Sequence, residues 1–299
     1  MSSGPFTVSV PATSANLGPG FDSLGLALGL RDEVTAEITD DDGGVVVEMQ
    51  GEGAGDLPRD ETHLIAATLL RALRDAGVDV PGLRVSTVNR IPHGRGLGSS
   101  AAAVVAAVTL ARSLSGGDDS PISLDRQFDL AVSVEGHPDN VAPALLGGLT
   151  IAWPDIATGK PRAVPLKVHP SVRAIVCVPN EQMSTVAARG LLPAQVSHSD
   201  ASATAARSAL LVHALTSDPS LLLDATADLL HQPYRLDSMP HSRDLIATLR
   251  GRGVAATLSG SGPTVLVLTT DDTDAVRSAA PGFEVRPLEI ESRGAYLLS

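Results

Sequence analysis

The sequence is poor in several residue types, and each absence excludes a class of protein. Its 299 residues contain a single cysteine, Cys177, so an internal disulfide is excluded, and the apolar run around it predicts a buried thiol. Lysine occurs at positions 160 and 167 alone. No apolar run is long enough to span a bilayer, and residues 1–4 do not begin a secretory leader. We therefore expect a soluble, cytoplasmic protein.

The overall charge is acidic. The formal net charge is −12 and the pI is near 5.0, which disfavours binding to nucleic acid or to an anionic membrane. An anionic ligand would therefore need a locally favourable site. The hydrophobic content of 43% is enough for one large or two modest domains.

Short strand patterns alternate irregularly with helical ones, which favours an α+β fold. β-Branched residues between turn signals predict strands at 7–10, 33–39, 45–49, 83–89, 149–153, 173–178, 255–258 and 265–268. Apolar periodicity predicts helices at 61–75, 99–114, 202–215, 221–230 and 242–249. The acidic cluster at 40–44 predicts a solvated hairpin turn. The proline-rich stretch 154–170 predicts a boundary between domains 1–160 and 161–299.

The segment from Ile91 to Ala103 is the most informative, because three glycines precede two serines and a long apolar helix. Glycine permits positive φ, and a helix start offers unpaired N–H groups that suit a phosphate. The segment is neither the Gly-Lys-Ser/Thr loop of NTPases nor the dinucleotide fingerprint. A plain glycine turn with a serine cap is the alternative. The buried helix behind the loop favours an anion site.

These residues resemble the central motif of the GHMP kinases, whose loop wraps a nucleoside triphosphate. The resemblance implies ATP as substrate and a two-domain fold, with an N-terminal ribosomal-protein-S5-like α/β domain and a C-terminal ferredoxin-like α+β domain. It assigns ATP binding to Pro92, His93, Gly94, Arg95, Gly96, Leu97, Gly98, Ser99, Ser100, Ala101 and Ala102.

Two more glycine segments resemble the other GHMP motifs. The first, at 10–28, carries Asn16 and Asp22, and alone it could be an Asx-type turn. Its form is typical of the branch that phosphorylates L-homoserine, and it lacks the lysine that mevalonate kinases place here. The second, at 258–266, could alone be a tight hairpin. The resemblance places both beside the substrate.

The run from Glu135 to Val141, Glu-Gly-His-Pro-Asp-Asn-Val, is also typical of the homoserine-acting branch. A carboxylate near the phosphates suits Mg²⁺, so Glu135 and Ser100 are the expected metal ligands. His137 has no cysteine or histidine at ligand spacing, so we expect a structural role for it.

Arginines complete the pocket that the resemblance implies. The segments 183–189 and 230–235 place Thr185, Arg189 and Arg235 at the substrate, where the planar guanidinium groups would pair with a carboxylate. Asp22 would accept the substrate ammonium. Without the resemblance, each arginine would be interpreted as a charged residue on the protein surface.

The implied reaction phosphorylates the hydroxyl of L-homoserine with Mg·ATP. Asn16, Asp22 and Asn140 would align the substrate, and Asn140, Asp139 and Arg189 form the expected catalytic group. We expect no dedicated base, although Asp139 lies where some relatives keep a catalytic aspartate. The alternatives are another GHMP kinase or decarboxylase, and a non-catalytic sensor of nucleotide and amino acid. The oligomeric state stays open, with a homodimer as one option.

Overall fold

The structure is a computed structural model that describes residues 4–40, 43–271 and 273–298. Within these ranges it has eleven strands and ten α-helices, which confirms the predicted α+β class. The strands are β1 (Phe6–Ala15), β2 (Leu24–Thr39), β3 (Gly44–Gly51), β4 (Gly82–Asn89), β5 (Leu149–Pro154), β6 (Pro161–Leu166), β7 (Arg173–Val178), β8 (Ala255–Leu258), β9 (Val265–Thr269), β10 (Glu284–Leu288) and β11 (Tyr296–Leu298). The helices are α1 (Leu64–Asp75), α2 (Ser99–Leu114), α3 (Leu124–Glu135), α4 (Pro138–Leu146), α5 (Thr185–Gly190), α6 (His198–Thr216), α7 (Leu222–Ala225), α8 (Gln232–Leu236), α9 (Pro240–Gly251) and α10 (Asp274–Ala279).

The first sheet has the order β11-β1-β2-β4-β3, and β5 and β6 extend it from β2. β3 and β4 run parallel and α1 connects them, whereas the other pairs are antiparallel. Both β2 and β3 pair with β4 and not with each other. The predicted hairpin turn at 40–44 is therefore wrong, and its residues Asp41 and Asp42 lie outside the described ranges.

The second sheet is antiparallel throughout, in the order β10-β7-β9-β8, and α9 packs on it. The predicted domain boundary at residue 160 stays a prediction. β6 pairs with β5 in the first sheet, β7 opens the second sheet, and β11 returns to the first. β6 was not predicted because of Pro161 and Pro165, which an edge strand accommodates since its outer N–H groups need no partner.

Helix α2 is the centre of the first half. It is buried on almost every side, with Val104, Val105 and Val108 at 0% exposure, and it packs against α1, α3 and β1. An all-round apolar helix is stable when other elements cover every face. This packing fixes the helix start at Ser99, where the glycine loop ends.

The predicted helix over 221–230 is wrong beyond α7, which ends at Ala225. The Asp228 carboxylate accepts hydrogen bonds of 2.7–2.9 Å from the backbone N–H groups of Leu230, His231 and Gln232. A side chain that takes these N–H groups starts a new helix, so the chain turns into α8. No helix in the described ranges is both long and apolar enough to cross a membrane.

Candidate active site

The glycine loop enters the site over a buried carboxylate. Asp32, 6% exposed, accepts hydrogen bonds from the backbone N–H groups of Arg90 and Ile91 at 2.6 and 2.9 Å. Burial raises the pKa of Asp32, and these two hydrogen bonds oppose that rise. Asp32 thereby sets the direction of the loop, a role that the sequence analysis missed because the two segments are far apart in the chain.

The loop itself requires glycine. Gly94, Gly96 and Gly98 have φ values of +66°, +74° and +69°. A Cβ atom on Gly96 would lie 2.2 Å from the carbonyl oxygen of Ser259, and one on Gly98 would lie 1.9 Å from Thr13 Oγ1. Gly98 also begins α2 in the left-handed region. No other residue type fits these two positions without displacing the strand and turn that face them.

Hydrogen bonds from other segments of the chain hold the carbonyl groups of the glycine loop. Each carbonyl from residue 94 to residue 97 accepts one hydrogen bond from another segment. The bonds run from Met183 N–H to Gly94 (2.8 Å), from Thr264 N–H to Arg95 (3.3 Å), from Ser259 Oγ to Gly96 (2.6 Å) and from Thr13 N–H to Leu97 (3.0 Å). Among the described residues, none accepts a hydrogen bond from the backbone N–H groups of residues 94–100. The loop therefore has its donors free for a ligand.

These donors border a cavity of about 190 Å³ beside the start of α2. The first turn of α2 contains no acidic residue, so the partial positive charge of the helix start is not neutralised within the helix. The hydroxyl of Ser100 donates a 2.5 Å hydrogen bond to Glu135 Oε2 at the cavity wall. The structure thus brings the two predicted metal ligands together. The described residues contain no cluster of three or more His, Cys, Asp or Glu side chains suited to a metal.

The opposite wall of the cavity carries charged side chains from both halves of the chain. Asp22 and Arg189 form a bidentate ion pair of 2.7 and 3.1 Å, with their side chains 40% and 45% exposed. Arg235 is 2% exposed, and no carboxylate of the described residues lies within 4.0 Å of its guanidinium group. Its Nε also has no hydrogen-bond partner among them. A buried cation without a counterion is costly, so the site favours an anionic ligand there.

Asp139 and Asn140 begin α4 between these two walls. Thr13 Oγ1 donates to Asn140 Oδ1 at 2.9 Å, which fixes the orientation of the amide. Asp139 is 2% exposed, and its Oδ1 has no partner among the described residues. Burial, with a smaller contribution from the Asp22 charge, raises the pKa of Asp139 to about 7. The carboxyl group is thus close to the midpoint of its titration at neutral pH.

Some predicted ligand residues have their polar groups engaged elsewhere. Asn16 lines the cavity, but its Nδ2 donates to Gly260 O at 2.9 Å and its Oδ1 accepts from Asp22 N at 3.0 Å. Arg95 points away, since its Nε donates to Pro179 O at 3.0 Å. Ala101 and Ala102 are 0% exposed within α2. Thr185 borders the cavity, with its hydroxyl 3.5 Å from that of Ser261.

Several lining residues were missed or underrated in the sequence. His137, for which a structural role is expected, borders the cavity and makes a 3.3 Å contact with Glu135, a contact that raises its pKa. A second, mostly apolar cavity of about 340 Å³ lies beside Ser99 and Ser100, and His63 and His93 are among the residues that line it. Pro92 borders neither cavity. His63 lies outside the motifs, so they could not signal it, whereas His137 lies within the run from Glu135 to Val141 and only its role was underrated.

Comparison with known proteins places this geometry in one class. The family model described as GHMP kinases N terminal domain matches residues 63–148, and the model described as GHMP kinases C terminal matches residues 208–281. The first range contains the glycine loop, α2 and α4. The fold is therefore that of a GHMP kinase, as the motifs predict.

Comparison with individual relatives identifies the family within the GHMP kinase class. The homoserine kinase of Streptomyces avermitilis is 48% identical over 97% of this chain and 95% of its own. That of Streptomyces coelicolor is also 48% identical, over 97% and 94%. A crystal structure of homoserine kinase from Cytophaga hutchinsonii gives a TM-score of 0.86 at 28% identity, covering 100% of this chain and 98% of that one. The chain belongs to the homoserine kinase family, which confirms the predicted family, kinase class and two-domain fold.

Proposed function

We propose that the protein transfers the γ-phosphoryl group of ATP to the side-chain hydroxyl of L-homoserine, giving O-phospho-L-homoserine and ADP, a step of threonine biosynthesis. One observation carries the proposal. A single cavity has free backbone N–H groups at the start of α2 on one wall and, on the other, the unpaired Arg235 beside Asp22 and Arg189. Such a cavity accommodates a polyphosphate next to a zwitterion. The named activity of the relatives agrees with it.

The phosphate end would act through backbone dipoles. Residues 94–100 offer their N–H groups, and α2 adds its partial positive charge. The adjoining cavity of about 340 Å³ beside Ser99 and Ser100 has room for the nucleoside, with Asn89 and His63 as its polar edges. Because the protein carries a net charge of −12, this local field has to attract ATP against the overall repulsion.

Mg²⁺ fits the oxygen ligands at this end. Ser100 Oγ and Glu135 Oε2 lie within hydrogen-bond distance of each other at the cavity wall, and hydroxyl and carboxylate oxygens are ligands that magnesium prefers. We propose that these two residues hold the ion together with phosphate oxygens of ATP. When bound, the ion would neutralise charge on the transferring phosphoryl group.

The amino-acid end would bind L-homoserine through three charges. Asp22 would accept the ammonium group, and Arg189 and Arg235 would pair with the carboxylate, with Thr185 at the rim. In the structure Asp22 and Arg189 pair with each other. Substrate would replace that single ion pair with two, because a zwitterion brings both an anion and a cation.

The reaction forms an O–P bond between the homoserine oxygen and Pγ while the bond from Pγ to the leaving ADP oxygen breaks. Phosphoryl transfer depends chiefly on alignment and charge stabilisation. Asn140, oriented by Thr13, would align the hydroxyl, and Arg189 would help to hold the substrate. The hydroxyl proton would leave to solvent or phosphate without a dedicated base. Asp139 would contribute shape and charge balance. We also propose that the enzyme acts in the cytoplasm.

A coupled ADP-release assay tests the proposal directly. The purified protein is compared on L-homoserine, L-threonine, L-serine and mevalonate at equal concentrations, with and without Mg²⁺. We expect L-homoserine to give the highest kcat/KM, and no turnover without the metal ion. Faster turnover of mevalonate would reassign the substrate. Tight binding of ATP and homoserine without ADP release would support a sensor in place of an enzyme.

A further inference from the structure

His231 lies directly behind the cavity arginine. It is 0% exposed, and its ring stacks on Phe21 with a centroid distance of 5.1 Å. Its Nε2 lies 2.8 Å from the carbonyl oxygen of Gly18, and its Nδ1 lies 3.2 Å from Arg235 Nη1. His231 does not border the cavity, so it would not touch a substrate there.

These two contacts define the protonation state of the ring. The Gly18 carbonyl can only accept a hydrogen bond, so the proton is on Nε2. An arginine can only donate, so Nδ1 must be the unprotonated acceptor for Arg235 Nη1. Asp228 Oδ2 lies 3.4 Å from Nε2 and can likewise only accept, so it also favours the proton on that nitrogen. Burial lowers the pKa of His231 against the opposing charge of Asp228, which is consistent with the neutral ring. The ring therefore presents its one lone pair to the guanidinium group.

The hydrogen bonds of Arg235 all leave from one nitrogen. Nη1 donates to His231 Nδ1 and to Gly260 O, each at 3.2 Å. Nε has no partner among the described residues. The Phe21 ring lies 5.4 Å from the guanidinium carbon of Arg235 and 5.5 Å from that of Arg189. With Nη1 anchored, the edge formed by Nε and Nη2 remains for a carboxylate, which pairs with such an edge through two parallel hydrogen bonds.

We infer that His231 is a positioning residue for substrate recognition: as a neutral Nε2–H tautomer it anchors Arg235 Nη1 and thereby presents the Nε–Nη2 edge to the substrate carboxylate. This inference rests on the proposed function. Phe21 supports the same arrangement by stacking on His231 and lying under both arginines. The predicted role of the segment 230–235 thus extends from the arginine to the histidine four residues before it.

Three substitutions separate the two hydrogen bonds of the ring. His231→Leu removes both. His231→Asn places a carbonyl oxygen near the Nδ1 position, so it can still accept from Arg235, whereas His231→Gln reaches the Nε2 position and keeps the bond to Gly18. His241→Asn is the matched control, since His241 is 71% exposed and pairs with Glu181 outside the cavity. Each variant is assayed for kcat and for the KM of L-homoserine and of ATP.

We expect His231→Leu to raise the KM for homoserine about tenfold, as loss of a hydrogen bond to a charged group does, with the KM for ATP unchanged. His231→Asn should recover most of the loss, and His231→Gln should not. The decisive readout is a double-mutant cycle: in an Arg235→Met background, His231→Leu should have no further effect. A structural defect would add its own loss there.

The inference is overturned if His231→Leu leaves the KM for homoserine unchanged, if it costs the same with and without Arg235, or if Gln rescues and Asn does not. These outcomes require a wild-type enzyme that phosphorylates homoserine, and they leave the proposed function intact. A wild-type protein that releases no ADP with homoserine overturns the proposed function and this inference together.

Discussion

The two ends of the cavity are built in different ways. The phosphate end is made of backbone from one continuous segment, residues 91–100, and glycine geometry and the α2 start define it. The amino-acid end is made of side chains from distant segments, since Asp22 and Arg189 pair across 167 positions of sequence. Backbone donors are pre-oriented and uncharged. The charged side chains are long, and Arg189 is about half exposed, so its position depends on its partners.

The two ends of the cavity should therefore respond differently to substitution. A backbone site fails when its conformation is disturbed, and its residues cannot be exchanged one at a time. A side-chain site loses one charge per substitution and keeps the rest. We therefore expect changes that displace the loop backbone to abolish turnover, and changes at the amino-acid end to raise the KM for homoserine alone. The following substitutions test that contrast.

Gly98→Ala should have the largest effect. The new Cβ would lie 1.9 Å from Thr13 Oγ1 at a φ of +69°, so the loop and the α2 start must shift. We expect kcat/KM to fall on the order of 1000-fold, because transition-state donors act only when well aligned. Gly94→Ala is the control: its φ is +66°, but its nearest neighbour is Gln182 Cβ at 3.5 Å. Equal losses in both variants, measured by ADP release with both proteins folded, would show that the positive φ alone, and not the contact with Thr13, causes the loss. An unchanged kcat/KM in Gly98→Ala would contradict the contrast between the two ends.

Arg235→Met should raise the KM for homoserine about 100-fold and leave the KM for ATP unchanged, since it removes a buried bidentate partner of the carboxylate. Stability should fall by about 2 kcal/mol at most, because the buried His231 Nδ1 loses its donor, whereas the lost cation has no carboxylate within 4.0 Å among the described residues. Gly260 O also keeps its hydrogen bond from Asn16 Nδ2. Thermal unfolding of the variant distinguishes a substrate-binding role of Arg235 from a structural role. A lower melting temperature together with a raised KM for ATP would make Arg235 a structural residue.

The glycine loop and the helix that follows it could be predicted because their signals are local in sequence. The start and end of α2 and the bounds of β7 and β8 agree with the predicted 99–114, 173–178 and 255–258. Glycines followed by Ser99, Ser100 and an apolar run predict the helix start from local sequence, and the structure has Gly98 in the left-handed region at that start. The resemblance of the motif implied ATP as a substrate, and the family match confirmed the class of protein.

The remainder depends on contacts that no local pattern encodes. Asn16 looks like a substrate ligand in its motif, yet its amide bonds Gly260, 244 positions away. Asp228 interrupts a helix that apolar spacing predicts, since its carboxylate takes three backbone N–H groups. The buried Asp32 beneath the loop had no sequence signal at all. Asn16 and Asp32 thus satisfy backbone groups of segments that only the folded structure brings near, whereas Asp228 takes N–H groups two to four residues ahead in its own segment.

Asp22→Asn should have a smaller effect, raising the KM for homoserine about tenfold, because an amide still accepts one hydrogen bond from the ammonium but without charge. The folded state should lose less than about 1 kcal/mol, since the ion pair with Arg189 is exposed to water. Asp244→Asn, which breaks the exposed pair with Arg243, is the control and should leave both constants unchanged. A loss confined to kcat would instead place Asp22 in the chemical step.

Of these substitutions, Asp139→Asn should have the smallest effect on activity. It should raise the stability of the folded protein and not lower it. If no dedicated base exists, kcat should stay within about threefold, whereas removing a general base costs about 100-fold or more. A loss of that size with an unchanged KM for homoserine, and with the fall in rate below pH 7 abolished, would make Asp139 the base. The control is again Asp244→Asn.

The effect of Asp139→Asn on the free energy of unfolding follows from the raised pKa of Asp139. Burial moves that pKa from 3.8 to about 7, so the folded state favours the protonated carboxyl group. The wild-type protein is therefore fully stabilised at low pH and loses stability as pH rises through about 7, whereas asparagine does not ionise. We expect denaturant unfolding to show Asp139→Asn more stable than wild type by on the order of 3 kcal/mol at pH 8, and by much less at pH 5. A difference that does not change with pH would mean that the Asp139 carboxylate is ionised in the folded protein throughout, and that an unrecognised partner stabilises its charge between the two walls of the cavity.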